Sequence, residues 1–236
     1  MSERSILRLL FVLVGVVCLG VTAMMALSAL KKESEAKDGS GANLDSSLPG
    51  KSGALSPSVF DTPLPLKRFT LTDQTGQPFG SRQLDGKVWI ASFVFSRCTT
   101  VCPRVLAATA QLQAQLKGPP ESPAWKHVTF VSLSVDPLHD SPKVLADLAD
   151  AWQADADRWR FLTTSDREHM WDLIRGSDGF RQTVSDAPKS DMLIAHTSKY
   201  VLVDAQHRIR GFYDSLVEDD RKRMIADVMR LLPSAE

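Results

Sequence analysis

Cys98 and Cys102 sit four positions apart in Phe93-Val94-Phe95-Ser96-Arg97-Cys98-Thr99-Thr100-Val101-Cys102-Pro103. Two thiols at that spacing can form a disulfide, bind a soft metal ion, or fill space as small apolar groups. Thr99 and Thr100 make the segment polar, which argues against the inert use. A third donor, His196, lies in Asp191-Met192-Leu193-Ile194-Ala195-His196-Thr197-Ser198-Lys199-Tyr200. Two thiolates and an imidazole suit copper, because sulfur holds Cu(I) and an imidazole lets the same site hold Cu(II). Four-coordinate zinc would want a further ligand or water. Asp191 is a candidate to orient His196 from behind. Met170 and Met192 could ligate copper but read as core filler.

These donors need elements to position them. The uncharged, β-branched and aromatic run 88–95 predicts a strand buried on both faces. Pro103 suits the first helical position, which makes Cys102 the N-cap. Val105, Leu106, Ala108, Thr109, Leu112 and Leu116 then share one side of a helix that Gly118-Pro119-Pro120 ends. Both thiols would lie near the helix N-terminus, whose partial positive charge favours thiolate. Arg97 and Lys199 are further candidates to lower the thiol pKa values.

Elsewhere, 69–72 predicts a strand followed by a turn at 73–76, and 128–135 a second buried strand. Ser141 as N-cap and Pro142 open a helix with Val144, Leu145, Leu148 and Trp152 inward. A short strand follows at 159–162 and a short helix at 166–174. Segments 200–204 and 209–213 predict a hairpin across Ala205-Gln206-His207, and 218–232 a closing helix. The alternation argues α/β, with a central mixed sheet flanked by helices. A cysteine pair leaving the first central strand is, by analogy, a thioredoxin-like arrangement. In such a fold the strand after His196 starts beside the cysteine loop. His127, His169 and His207 read as solvated, and His139 as helix-start packing. Trp125, Trp152, Trp159 and Trp171 read as core or core margin.

The chain has 236 residues, with Lys plus Arg and Asp plus Glu balanced at 28 each. That balance gives no sign of a nucleic-acid surface or a polyanionic partner. Three cysteines are too few for a disulfide scaffold. Residues 9–30 are uncharged and as a helix would span roughly 30 Å, enough for a transmembrane anchor. A cleavable signal peptide with Ala26-Leu27-Ser28 at its end is the rival reading, but the apolar run exceeds the usual signal core. Cys18 reads as a small residue of that helix, since Val17 precedes it where a lipid-bearing cysteine wants a small residue. The domain plan is a cytoplasmic tail at 1–8, the anchor at 9–30, a flexible linker at 31–63, a globular domain at 64–232 and a tail at 233–236.

The chain resembles the Sco/SenC family of copper-binding proteins that assist cytochrome c oxidase assembly. The resemblance rests on Phe93-x-Phe95, on Cys98-x3-Cys102-Pro103, on Ser134-Val135-Asp136-Pro137 with Asp140-Ser141-Pro142, and on His196 ahead of an apolar strand. It departs from the family pattern at Thr99, Thr100, His139 and Ala195, around the ligands rather than at them. The resemblance implies a thioredoxin-like fold with copper held by Cys98, Cys102 and His196. It implies delivery of copper to the CuA site of cytochrome c oxidase subunit II or another periplasmic copper acceptor, or reduction of that site's cysteines. With no transit segment ahead of the anchor, the expected place is a bacterial inner membrane with the domain in the periplasm. The alternative is a periplasmic thiol–disulfide oxidoreductase or thiol peroxidase with Cys98 and Cys102 as its redox-active pair. Against it stand the x3 spacing and Ala195-His196, where such reductases carry a cis-proline.

Overall fold

Residues 61–116, 128–187 and 194–232 are described by the computed structural model, and all belong to the unit that runs from Leu55 to Glu236. In chain order they form β1 (Leu64–Pro65), β2 (Thr70–Asp73), β3 (Pro78–Gly80), α1 (Ser81–Leu84), β4 (Val88–Val94), α2 (Cys102–Gln115), β5 (Val128–Ser134) and α3 (Pro142–Ala151). There follow β6 (Trp159–Thr163), α4 (Arg167–Arg175), β7 (Val184–Asp186), β8 (Ile194–His196), β9 (Lys199–Val203), β10 (Arg208–Asp214) and α5 (Glu218–Leu231). One mixed sheet has the order β1-β10-β9-β4-β5-β6-β2-β3, and β7 and β8 form a separate two-stranded ribbon.

The sheet's centre follows from its apolar runs. Every residue of β4 and β5 is buried, and the two pair in parallel from Val88↔Val128 to Val94↔Ser134. Burial on both faces needs cover on both faces. The crossovers β4-α2-β5 and β5-α3-β6 advance the same way, so α2 and α3 cover one face, while Phe180 packs on Trp89 and Phe93 from the other. Polar groups inside are partnered, as burial requires. The Ser92 and Ser132 hydroxyls bond each other at 2.8 Å, and Trp159 Nε1–H donates to Ser132 Oγ at 2.9 Å. On the other side β9 runs antiparallel to β4, with Ala91 opposite Val201. The Tyr200 hydroxyl reaches across to α2, bonding Thr109 Oγ1 at 2.9 Å and donating to the Val105 carbonyl at 3.2 Å.

The expected α/β architecture and the hairpin are present, the latter with Tyr213 opposite Tyr200 and a bulge between Ile209 and Gly211. Two expectations are corrected, and one element is new. The first long helix starts one residue early: Val101 is the N-cap, so Cys102 is its first residue and Pro103 follows inside the first turn. The ribbon of β7 and β8 was not foreseen. His207, expected to be solvated, is only 7% exposed. The expected segments 1–8 and 9–30 and all but the last three residues of 31–63 lie outside the described residues, as do Cys18, Gly118-Pro119-Pro120, Trp125, His127, Asp191, Met192 and the tail 233–236. Among the described residues no helix is long and apolar enough to cross a membrane.

His207 closes the hairpin turn with a left-handed φ of 63°. Its Nε2 lies 3.0 Å from Ser81 Oγ, which also accepts the Phe69 N–H. Burial lowers its pKa from 6.5, so the folded chain favours the neutral ring. The unfolded chain therefore binds more protons just below pH 6.5, and the ring's contribution to stability falls as pH drops through that range. Copper-free His207→Gln should lose less of its urea midpoint than the parent between about pH 7 and pH 5. Parallel midpoint curves for the two proteins would assign the acid sensitivity elsewhere.

Candidate metal centre

At the carboxyl end of β4 the chain turns sharply into α2. Cys98 N–H donates to the Phe95 carbonyl at 3.3 Å, which folds the turn back on the strand. Cys102 N–H donates to Cys98 Sγ at 3.3 Å, and Phe95 N–H donates to Cys102 Sγ at 3.5 Å. Cys98 Sγ thus sits among the backbone donors of a helix start, as expected from the position of Pro103, whereas Cys102 Sγ takes its donor from Phe95, just past β4.

His196 arrives from a different element, as the last residue of β8. Its Nε2 lies 3.3 Å from Cys102 Sγ. Nδ1 lies 2.9 Å from the Thr197 carbonyl, which can only accept, so Nδ1 carries the proton and Nε2 presents its lone pair to the sulfur. The edge of Phe95 packs against the ring with centroids 5.5 Å apart. One donor atom from each of Cys98, Cys102 and His196 lies within 4.8 Å of the others. Both cysteines are free thiols.

The two thiols are unlike, and the expectation that the helix start lowers both pKa values holds for Cys98 alone. Burial pushes Cys98 up, but N–H groups of Cys102, Thr100 and Val101 aimed at its sulfur outweigh that, and its pKa falls below the ordinary thiol value. Cys102 is 1% exposed, and burial pushes its pKa well up, with the neighbouring Cys98 and the Asp140 charge adding to the rise. Burial also lowers the His196 pKa, keeping the imidazole neutral and available as a ligand.

Arg97 does not act on the thiols as expected. Its Nη2 donates to Asp136 Oδ2 at 2.6 Å and lies 3.0 Å from His139 Nδ1, which itself stands 2.8 Å from Asp136 Oδ1. Its role is to clamp the cysteine turn to the loop after β5. His139 belongs to that clamp rather than to helix packing. Lys199 is exposed, and the largest influences on both thiols are burial and nearby hydrogen-bonding groups. Met170 is fully buried core, as expected.

A second carboxylate of the same loop does matching work. Asp140, 0% exposed, accepts from Ser96 N–H at 3.2 Å, from the Ser96 hydroxyl, and from Ser134 Oγ at 2.6 Å. Asp136 and Asp140 together therefore hold Ser96 and Arg97, the two residues ahead of Cys98. Sequence reasoning missed this support. Its signal was two aspartates just beyond a buried parallel strand, at the sheet end where sites in open α/β folds gather.

A mixed sheet with a thiol pair at the strand-to-helix turn, joined by an imidazole, defines a thioredoxin-like protein with a Cys2His donor set. Soft sulfur plus nitrogen is a set that fits copper in either oxidation state. The chain belongs to the SCO1/SenC family, whose model matches residues 62–233. It is 31% identical over 160 residues to the SCO1 protein homolog of Bacillus subtilis, covering 68% of this chain and 79% of that one. A SCO1/SenC family lipoprotein from Bacillus anthracis superposes with a TM-score of 0.65 at 31% identity, over 75% of this chain and 99% of that one. The copper-bound structure of Bradyrhizobium japonicum ScoI has the same fold, with a TM-score of 0.58 at 22% identity, over 71% of this chain and 99% of that one.

Proposed function

We propose that this protein is a membrane-tethered copper-binding protein in which Cys98, Cys102 and His196 hold the ion as cargo. It delivers copper to the CuA site of cytochrome c oxidase, or keeps that site's cysteines reduced. The observation that carries the reading is the convergence of the three donor atoms within 4.8 Å. Family membership and the copper-bound relative agree with it. Residues 9–30 serve as the anchor and 31–63 as the tether, placing the domain at 64–232 on the periplasmic side of a bacterial inner membrane. Cys98 gives up its proton first because the turn's N–H groups favour its thiolate. Cys102 is deprotonated only when a cation compensates for its burial. Handover to an acceptor exchanges one ligand at a time.

The lowered pKa of Cys98 beside a buried partner thiol also supports the second reading, a thiol–disulfide oxidoreductase or thiol peroxidase. There the Cys98 thiolate attacks a client disulfide and Cys102 displaces the client thiol. The client gains two electrons, the Cys98–Cys102 pair becomes a disulfide, and an external dithiol resets it.

His196→Ala separates the two. For copper binding, the variant should lose Cu(II) affinity by more than about 100-fold, since losing even a supporting partner of a ligand costs 10- to 100-fold. Competition titration and metal analysis of the purified full-length chain measure this. Unchanged copper loading, with reduction of a model disulfide intact and metal-independent, would favour the second reading.

A further inference from the structure

The ribbon that bears His196 stands outside the eight-stranded sheet, with Val184 of β7 opposite His196 of β8. Something must hold it against the cysteine turn. Asp186, the last residue of β7, accepts from Arg167 Nη2 at 2.7 Å. The Arg167 guanidinium lies 3.9 Å from the centre of the Trp171 ring, and Arg175 stands 5.3 Å from the same ring. Trp171 is buried, and its Nε1–H donates to the Val135 carbonyl at 2.8 Å. Val135 directly precedes Asp136, which grips Arg97 beside Cys98. An unbroken series of contacts thus joins the two halves of the centre behind the donors: Cys98 turn, Asp136, Val135, Trp171, Arg167, Asp186, ribbon, His196.

We infer that Arg167, braced on Trp171, is a positioning residue for His196, and that the Arg167–Asp186 pair sets how far the imidazole stands from the two sulfurs. Arg167 Nε is buried without a hydrogen-bond partner, so the guanidinium is seated by the stack and the ion pair rather than by maximal hydrogen bonding. Asp186 is 59% exposed, so the pair alone holds weakly, and the ring stack supplies the rest. Resting on the copper reading above, this strut has a selective consequence. Two thiolates satisfy Cu(I), whereas Cu(II) depends on the nitrogen donor. A slack ribbon therefore penalises Cu(II) more than Cu(I).

The test uses the full-length chain with Arg167→Met, Asp186→Asn and Arg167→Lys. Cu(II) affinity should fall about tenfold in Arg167→Met and about threefold in Asp186→Asn, with Cu(I) within about twofold of the parent. Arg167→Lys should recover part of the loss. Nitrogen hyperfine structure in the Cu(II) electron paramagnetic resonance spectrum should weaken in the same order. Without copper, the Thr197 amide, which bonds the Thr183 carbonyl at 3.2 Å, should exchange faster in Arg167→Met than in the parent. Equal losses for Cu(I) and Cu(II) would reduce Arg167 to a general stabilising residue. Unaltered Cu(II) affinity together with unaltered Thr197 exchange would overturn the strut. If the parent itself binds no copper, the copper reading fails, and the exchange rate alone decides whether the strut exists.

Discussion

A chain with serine at position 102 is expected to retain no copper through desalting, with affinity for Cu(I) reduced by more than about 100-fold. Cys102 Sγ is the contact between the two halves of the centre, 3.3 Å from His196 Nε2 and accepting the Phe95 N–H. A serine hydroxyl keeps a group that Phe95 can bond to, but it stays protonated at neutral pH and is a hard donor where the ion wants a soft one. The fold should survive, with an unfolding free energy within about 1 kcal/mol of the parent, because the change is nearly isosteric. Metal analysis alongside urea unfolding separates the two effects. A serine variant that keeps one copper per chain would remove Cys102 from the ligand set.

The second large effect falls on stability. Asp140→Ala should cost about 3 kcal/mol, because it removes a buried acceptor and leaves Ser96 N–H and two hydroxyls without their partner. The cysteine turn should loosen with it, since Ser96 is one of its two anchors. Asp140→Asn should cost clearly less. Burial raises the Asp140 pKa above the ordinary carboxylate range despite the serine hydrogen bonds, so a neutral side chain that still accepts suits the place. Denaturant unfolding of the copper-free variants at neutral pH measures both. Equal costs for alanine and asparagine would mean that the charge, not the acceptor, is what the loop uses.

What could be read from residue order divides along physical lines. The strands β4 and β5 were legible because their runs are uncharged and rich in β-branched and aromatic residues, and so was the hairpin of β9 and β10 because two segments rich in such residues flank a short polar turn. The thiol pair and His196 were legible as candidate donors, and the expected thioredoxin-like arrangement brings them together. The ribbon was not legible: Val184-Ser185-Asp186 and Ile194-Ala195-His196 are each three residues long, too short for any periodicity to register. The fate of Arg97 was hidden as well, because its partner Asp136 lies 39 positions on and charged side chains choose targets in space. The lowering of the Cys98 pKa was expected from a helix start, and backbone N–H groups do supply it. His207 was misjudged because its neighbours in the chain are polar turn residues, while its burial comes from Phe69, Trp89 and Ser81 on other elements.

The Tyr200 hydroxyl rivets the second turn of α2 to the sheet through Thr109 and the Val105 carbonyl. One sulfur therefore rides on an element with little freedom to translate, while the other rides on the seven-residue bend 95–101. On the oxidoreductase reading, a sulfur–sulfur bond here would form by a one-sided movement of the bend beyond Arg97, since Ser96 and Arg97 are held by Asp140 and Asp136. The travelling sulfur is also the more acidic one, so the atom that an incoming molecule meets first is the atom best able to follow it outward.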